Sequence, residues 1–224
     1  ISNKYKFLYL QVPRTGCTSL GNKLVKDKIG TWIPALDLYN KDSKIVIERK
    51  HNTIKELTNI GLINPNILRK NGGDFLLVSG TRNPFDSLYS FYSKLKSDYV
   101  PLLDDPSAFI HRKPHLKKSI GTAMKYDFHD WVFKYFDTEE SRKPKEMFGK
   151  FYQPFPDFLI KFENMTSDVK NFFRIIGYTG PFEYSNVNPT TKDFNNYRKA
   201  YHNESRQLVE QIFKPDLELF NYEF

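Results

Sequence analysis

Two short runs of the chain combine small residues, hydroxyls and an arginine in the way a phosphate-binding loop requires. The first reads Val12-Pro13-Arg14-Thr15-Gly16-Cys17-Thr18-Ser19-Leu20. Small residues at 15–19 let backbone N–H groups approach an anion closely. Thr18 and Ser19 add hydroxyl donors, and Arg14 adds a permanent cation with a planar donor fork. The helical pattern Leu20, Leu24, Val25 that follows brings the positive end of a helix dipole to the same place. The run is not a Walker A loop, because GxxxxGK[ST] is absent. Taken alone it reads equally well as a strand-to-helix turn that uses Gly and Thr for geometry.

The second run is Thr81-Arg82-Asn83-Pro84-Phe85-Asp86-Ser87-Leu88-Tyr89-Ser90-Phe91-Tyr92. Pro84 suits the first turn of a helix and Asp86 suits its positive end. Arg82 precedes that helix and Ser90 lies about two turns along it, so an arginine and a hydroxyl could share a further phosphate. Each alone is a surface Arg or a helical Ser. Two anion sites after two strands of one sheet are harder to dismiss than either.

The elements that must position these residues are legible as four short apolar, β-rich runs: residues 6–12 (KFLYLQV), 44–48 (KIVIE), 74–79 (DFLLVS) and 157–162 (DFLIKF). Helix-like stretches fall at 18–27, 53–60, 84–96, 122–136, 166–176 and 197–213. Strands that alternate with helices and are apolar on both faces predict a parallel sheet covered by helices. In such sheets ligands bind beyond the carboxyl ends of the strands, where both runs lie. Residues 97–120 hold three prolines and several lysines, and 138–156 is polar with Pro144 and Pro154; both read as surface insertions. The expected architecture is one α/β domain over 1–224, a central parallel sheet flanked by helices with helical and loop insertions.

Composition narrows the classes. The 224 residues carry 34 Lys and Arg against 26 Asp and Glu, net +8, and 16% aromatics. One cysteine, Cys17, excludes a disulfide framework and a Cys-rich zinc site. No His, Cys or carboxylate cluster suggests a metal. The aromatic content excludes a disordered chain, and no apolar run nears the roughly 20 residues a membrane helix needs. A soluble basic domain with an anionic partner is expected, with no nucleic acid and no membrane segment within the chain.

The paired motifs PRTGCTS and RNPFDSLYS resemble the two phosphate-binding elements of sulfotransferases that use 3′-phosphoadenylyl sulfate (PAPS). In that family an Arg and a Ser eight positions apart hold the 3′-phosphate, and Arg82 and Ser90 have that spacing. The resemblance continues through Phe158-Leu159-Ile160-Lys161-Phe162-Glu163-Asn164-Met165. It extends to Val187-Asn188, Tyr197-Arg198, Tyr201, Glu204 and the segment Asp216 to Tyr222, which are similar to the Golgi-type and bacterial carbohydrate branch. The two insertions have no counterpart.

The resemblance implies a P-loop-like sulfotransferase fold and transfer of a sulfonate from PAPS to an acceptor hydroxyl, releasing adenosine 3′,5′-bisphosphate (PAP) without a metal. Arg14, Thr15, Gly16, Cys17, Thr18 and Ser19 would hold the 5′-phosphosulfate. Many relatives have Lys at the place of Arg14; Arg stays protonated, so it stabilises the leaving group by charge and is a poor proton donor. His51, just past the second apolar run, is expected on the same rim as both loops and suits the catalytic base; the plainer reading is a helix-capping or surface His, since Asn52 could itself cap the helix that begins at Thr53. Lys192 and Arg198 are expected to close over the 3′-phosphate or adenine. The thiol of Cys17, inside the loop, is expected to be shielded by PAP.

The basic run His111 to Lys118 is a candidate guide for an anionic glycan acceptor, although charge runs are usually solvated surface. His111, His115, His129 and His202 read as ordinary structural residues. Cytoplasmic localisation is expected, with an anchor preceding Ile1, as in Golgi relatives, left open. Two rivals stand beside the transferase: a nucleotide or small-molecule kinase requiring Mg²⁺, and a polyanion-binding domain without catalysis.

Overall fold

The structure is a computed structural model, and it describes residues 1–41, 45–181 and 196–224. In chain order its elements are β1 (Phe7–Leu10), α1 (Cys17–Lys26), β2 (Leu38–Tyr39), β3 (Ile45–Ile47), α2 (Ile54–Asn59), β4 (Leu76–Thr81), α3 (Pro84–Lys94), α4 (Pro114–Lys125), α5 (Phe128–Tyr135), α6 (Glu139–Arg142), β5 (Phe158–Lys161), α7 (Met165–Ile175), α8 (Asn196–Ala200), α9 (Asn203–Ile212) and α10 (Lys214–Phe220), with short 3₁₀ and π turns between them. The described residues form two compact units that divide at 82/83 and at 147/148.

The first unit, the described residues of 1–82 and 148–181, holds the parallel sheet, in the order β1-β4-β5. Its register pairs Phe7 with Leu76 and Val78 with Phe158. Strand side chains alternate between faces, and each face of β1 is apolar. Phe7 and Tyr9 pack with Leu20 and Leu24 of α1 and with Val169 and Phe172 of α7. Leu8 and Leu10 pack on the opposite side with Ile54 and Leu57 of α2 and with Ile63 and Leu68. Burial on both sides is what makes these strands continuous apolar runs. The parallel sheet covered by helices is borne out.

One strand expectation is not. The run at 44–48 contributes β3, which pairs antiparallel with β2 in a separate two-stranded sheet. A β-branched run cannot by itself tell a parallel partner from a hairpin partner. Capping fixes α2 locally: the Thr53 hydroxyl accepts from the Glu56 N–H at 3.1 Å, and the Glu56 carboxylate accepts from the Thr53 N–H at 2.7 Å. Asn52 is therefore not the cap; its amide donates to the Glu48 carbonyl.

The second unit, residues 83–147 and 196–224, is helical. Asn83 caps α3 by accepting from the Phe85 N–H at 3.0 Å, Pro84 takes the first turn, and Asp86 faces the positive end. The helix expected at 122–136 is two helices, α4 and α5, interrupted at Tyr126 and Asp127, where Asp127 caps α5. The stretch 197–213 likewise divides into α8 and α9. Residues 97–120 are not a surface insertion: Ile110 and Ile120 are fully buried and Leu116 nearly so, in one cluster with Trp131. In the first unit, Phe151 and Tyr152 of the stretch 138–156 are also buried. Short 3₁₀ and π turns break the apolar period, so the sequence pattern hides these core positions.

Candidate active site

The first loop leaves β1 through Gln11 to Val12 and enters α1 with two residues in left-handed backbone, Arg14 (φ 65°) and Gly16 (φ 71°). At Gly16 a Cβ would come within 2.7 Å of Met165 Cε, the movable end of a flexible side chain, so it is the left-handed φ that calls for glycine there. Thr15 is fully buried and its hydroxyl donates to the Val12 carbonyl at 2.8 Å, which closes the loop. Among the described residues no acceptor takes the backbone N–H groups of Thr15, Gly16 or Cys17. The first turn of α1 carries no acidic residue. Consecutive unused N–H groups in alternating backbone conformations at a helix N-terminus form a concave anion nest. The donor set fits a phosphate or sulfate group.

Thr18 is half-buried, with Lys50 Nζ 3.5 Å from its hydroxyl, and Ser19 is buried. Lys50 is a cation at the cradle that sequence reasoning did not single out, although it stands next to His51.

Cys17 sits in the core against the α1 and α7 side chains, and burial pushes its thiol up to about 11. Its backbone faces the loop and its sulfur faces the interior. The expectation of a thiol shielded by ligand is corrected accordingly, because the protein itself shields it. At pH 8 only about one thiol in a thousand is thiolate, and the thiolate is the nucleophile. Iodoacetamide is expected to alkylate Cys17 slowly and equally with and without PAP. Labelling within minutes that PAP abolishes would restore the earlier expectation.

Arg82 ends the first unit just beyond β4. It is 7% exposed, donates Nη1–H to the Arg14 carbonyl at 2.9 Å, and stacks on Phe162 with Cζ 3.9 Å from the ring centre. A guanidinium held by a carbonyl and an aromatic face is fixed in direction, so it ties the end of β4 to the cradle. Ser90 lies buried on α3 of the second unit. Arg198, on α8, is exposed against the Tyr197 ring. Lys192 and the loop that precedes α8 lie outside the described residues.

His51 reaches the rim by a route other than the one expected, since β3 is not in the parallel sheet. Its backbone is left-handed (φ 66°), and its Nδ1 lies 2.7 Å from the Gln11 carbonyl at the end of β1. A carbonyl only accepts, so Nδ1 carries the proton and Nε2 keeps its lone pair. Burial lowers the imidazole pKa, with Lys50 and Arg14 adding to that, while the Gln11 bond and Glu48 act in the opposite direction. The ring is a neutral base of fixed tautomer. Sequence reasoning passed over Gln11 because it holds His51 through its backbone carbonyl, and backbone roles leave no trace in residue type.

Among the described residues no group of three His, Cys, Asp or Glu could hold a metal ion, and no helix is long and apolar enough to cross a membrane. A parallel α/β unit with an anion nest at the end of its first strand and a histidine beside it defines a class of proteins with a place for an anionic group. Within that class the chain belongs to the sulfotransferase family, whose model matches residues 1–223. No curated protein and no solved structure matches the chain.

Proposed function

We propose that the protein transfers a sulfonate group from PAPS to an acceptor hydroxyl and releases PAP, with a carbohydrate hydroxyl as the first acceptor to try. One observation carries the reading: the nest of Thr15, Gly16 and Cys17 N–H groups and the neutral His51 are both anchored to the end of β1. When bound, PAPS supplies an activated sulfonate on a 5′-phosphate leaving group.

The chain's own residues would hold and neutralise that leaving group. Thr15, Gly16, Cys17 and Thr18 offer backbone N–H groups, Thr18 and Ser19 offer hydroxyls, and Arg14 and Lys50 offer charge. Arg82 and Ser90 are assigned to the 3′-phosphate on their spacing, and Lys192 and Arg198 to closure over the nucleotide. His51 Nε2 takes the acceptor proton as the new S–O bond forms and the old one breaks, while Nδ1–H stays on Gln11. The lowered pKa favours this, because the base is unprotonated at neutral pH.

The test is transfer of label from ³⁵S-PAPS and from γ-³²P-ATP, run side by side with and without Mg²⁺. Incorporation from PAPS alone, indifferent to chelator, is expected. Transfer from ATP that requires Mg²⁺ would favour the kinase. Absence of both, with salt-sensitive polyanion binding and no preference for PAP, would favour a binding domain.

A further inference from the structure

The segment that leads into the β2–β3 pair of the first unit is apolar almost throughout. Residues 32–39 read WIPALDLY, with Asp37 the one charge. The core uses only the first part of this run. Trp32 closes on α1, where a Cβ at Gly21 would come within 2.8 Å of it. Ile33 packs against the cluster of Leu8, Leu10 and Leu57, and Pro34 is buried. Beyond Pro34 the side chains turn outward: Leu36 is 71% exposed, Tyr39 59% and Leu38 37%. Among the described residues Leu36 and Tyr39 are the two most exposed large apolar side chains.

Strand geometry makes this exposure unusual. Neighbouring residues of a regular strand point to opposite faces, yet Leu38 and Tyr39 are neighbours and both are exposed. β2 pairs with β3 alone, and the register shifts between these two residues. Edge strands are ordinarily blunted by charge, proline or a cover; this one presents leucine and tyrosine. Apolar side chains exposed singly are ordinary, but three within four positions form a strip for a partner. Asp37 does not oppose an apolar or anionic partner, because its carboxylate accepts from the Arg49 N–H at 2.7 Å. Lys41, two positions beyond Tyr39, is exposed. Among the described residues no carboxylate pairs with its ammonium or with the Arg49 guanidinium, which lies over the Trp32 ring.

We propose that this strip is a membrane foot: Leu36, Leu38 and Tyr39 enter the interface of a bilayer carrying anionic phospholipid, with Lys41 and Arg49 beside them for its phosphates. Size favours a bilayer over a protein. Three side chains fall far short of the roughly 800 Å² per partner of a stable protein interface, whereas a fluid bilayer demands no matching shape. Residue type agrees, since leucine suits the acyl boundary and tyrosine the headgroup level. Charge agrees as well: a second copy would bring its own +8 against this one, and an anionic leaflet attracts it. The proposal stands apart from the sulfotransferase reading and needs no donor.

The experiment floats the protein with vesicles of phosphatidylcholine alone and with vesicles containing about 30% phosphatidylglycerol. Binding to the anionic vesicles is expected to be at least about tenfold tighter. The net charge alone could supply that preference, so the strip is read by substitution. In the double variant Leu36→Ser, Leu38→Ser, affinity for anionic vesicles is expected to fall about tenfold or more. Both positions are exposed, so the circular dichroism spectrum should not change. Tyr39→Trp reads insertion directly: its added emission, over that of Trp32 and Trp131, should shift to the blue on anionic vesicles and be quenched by brominated acyl chains. Equal binding to the two vesicles, a serine variant that floats like the parent, or emission indifferent to brominated lipid overturns the proposal. A blue shift that grows with protein concentration in the absence of vesicles gives the strip to a second copy and also overturns it. Failure to float with either vesicle does the same and leaves an acidic protein as the partner.

Discussion

His51→Ala is expected to lower kcat by about 10²–10⁴-fold, the usual contribution of a positioned general base, while PAP affinity stays near that of the parent. One bond sets the chemistry of the ring: Nδ1–H on the Gln11 carbonyl leaves Nε2 as its only basic atom. The pH profile is a second readout. Burial holds the imidazole pKa below its ordinary value of about 6.5, so kcat/KM should rise with pH through an inflection below that value and be flat at neutral pH. The inflection should disappear in the variant. The same shift links to folding. The unfolded chain binds the proton more readily, so this contribution is complete above about pH 6.5 and is lost as pH falls through the lower folded value. Full turnover in His51→Ala would remove the residue as the base.

Arg82→Ala is expected to weaken PAP binding by about 100-fold or more, since each hydrogen bond from a charged group contributes roughly 1.5–3 kcal/mol and about 1.4 kcal/mol is a factor of ten. Two losses combine. The variant surrenders the charge assigned to the 3′-phosphate, and it releases the Arg14 carbonyl that Nη1 holds at 2.9 Å, loosening the cradle itself. Arg82→Lys should recover part of the affinity, because an ammonium keeps the charge but lacks the planar fork that rests on Phe162. Calorimetry with PAP reads both variants. If Arg82→Ala binds PAP as tightly as the parent, the 3′-phosphate assignment falls.

The parts of this molecule that the sequence announces are those whose chemistry is local. The cradle at 14–19 is legible because small residues, hydroxyls and a helix start are consecutive, and the sheet is legible because β1, β4 and β5 are apolar on both faces. What stays hidden depends on partners distant in the chain. Trp32 acquires meaning only because Gly21 lets it close on α1, and Gln11 only because His51 folds back to its carbonyl. Ile110 and Ile120 were masked by 3₁₀ and π turns that scramble the apolar period. The His51 expectation reached the right neighbourhood through a strand that pairs elsewhere, so residue type and position were informative where topology was not.

The left-handed backbones at Arg14 and His51 have a consequence for anyone breeding a hardier version of this protein. Each L-residue in that conformation costs about 1–2 kcal/mol that glycine would not. A screen that rewards only heat resistance or expression would therefore favour glycine or asparagine at both positions, and each such gain would strip out the guanidinium or the imidazole that the fold holds there. Libraries should freeze these two codons and seek robustness at positions whose backbone is already relaxed.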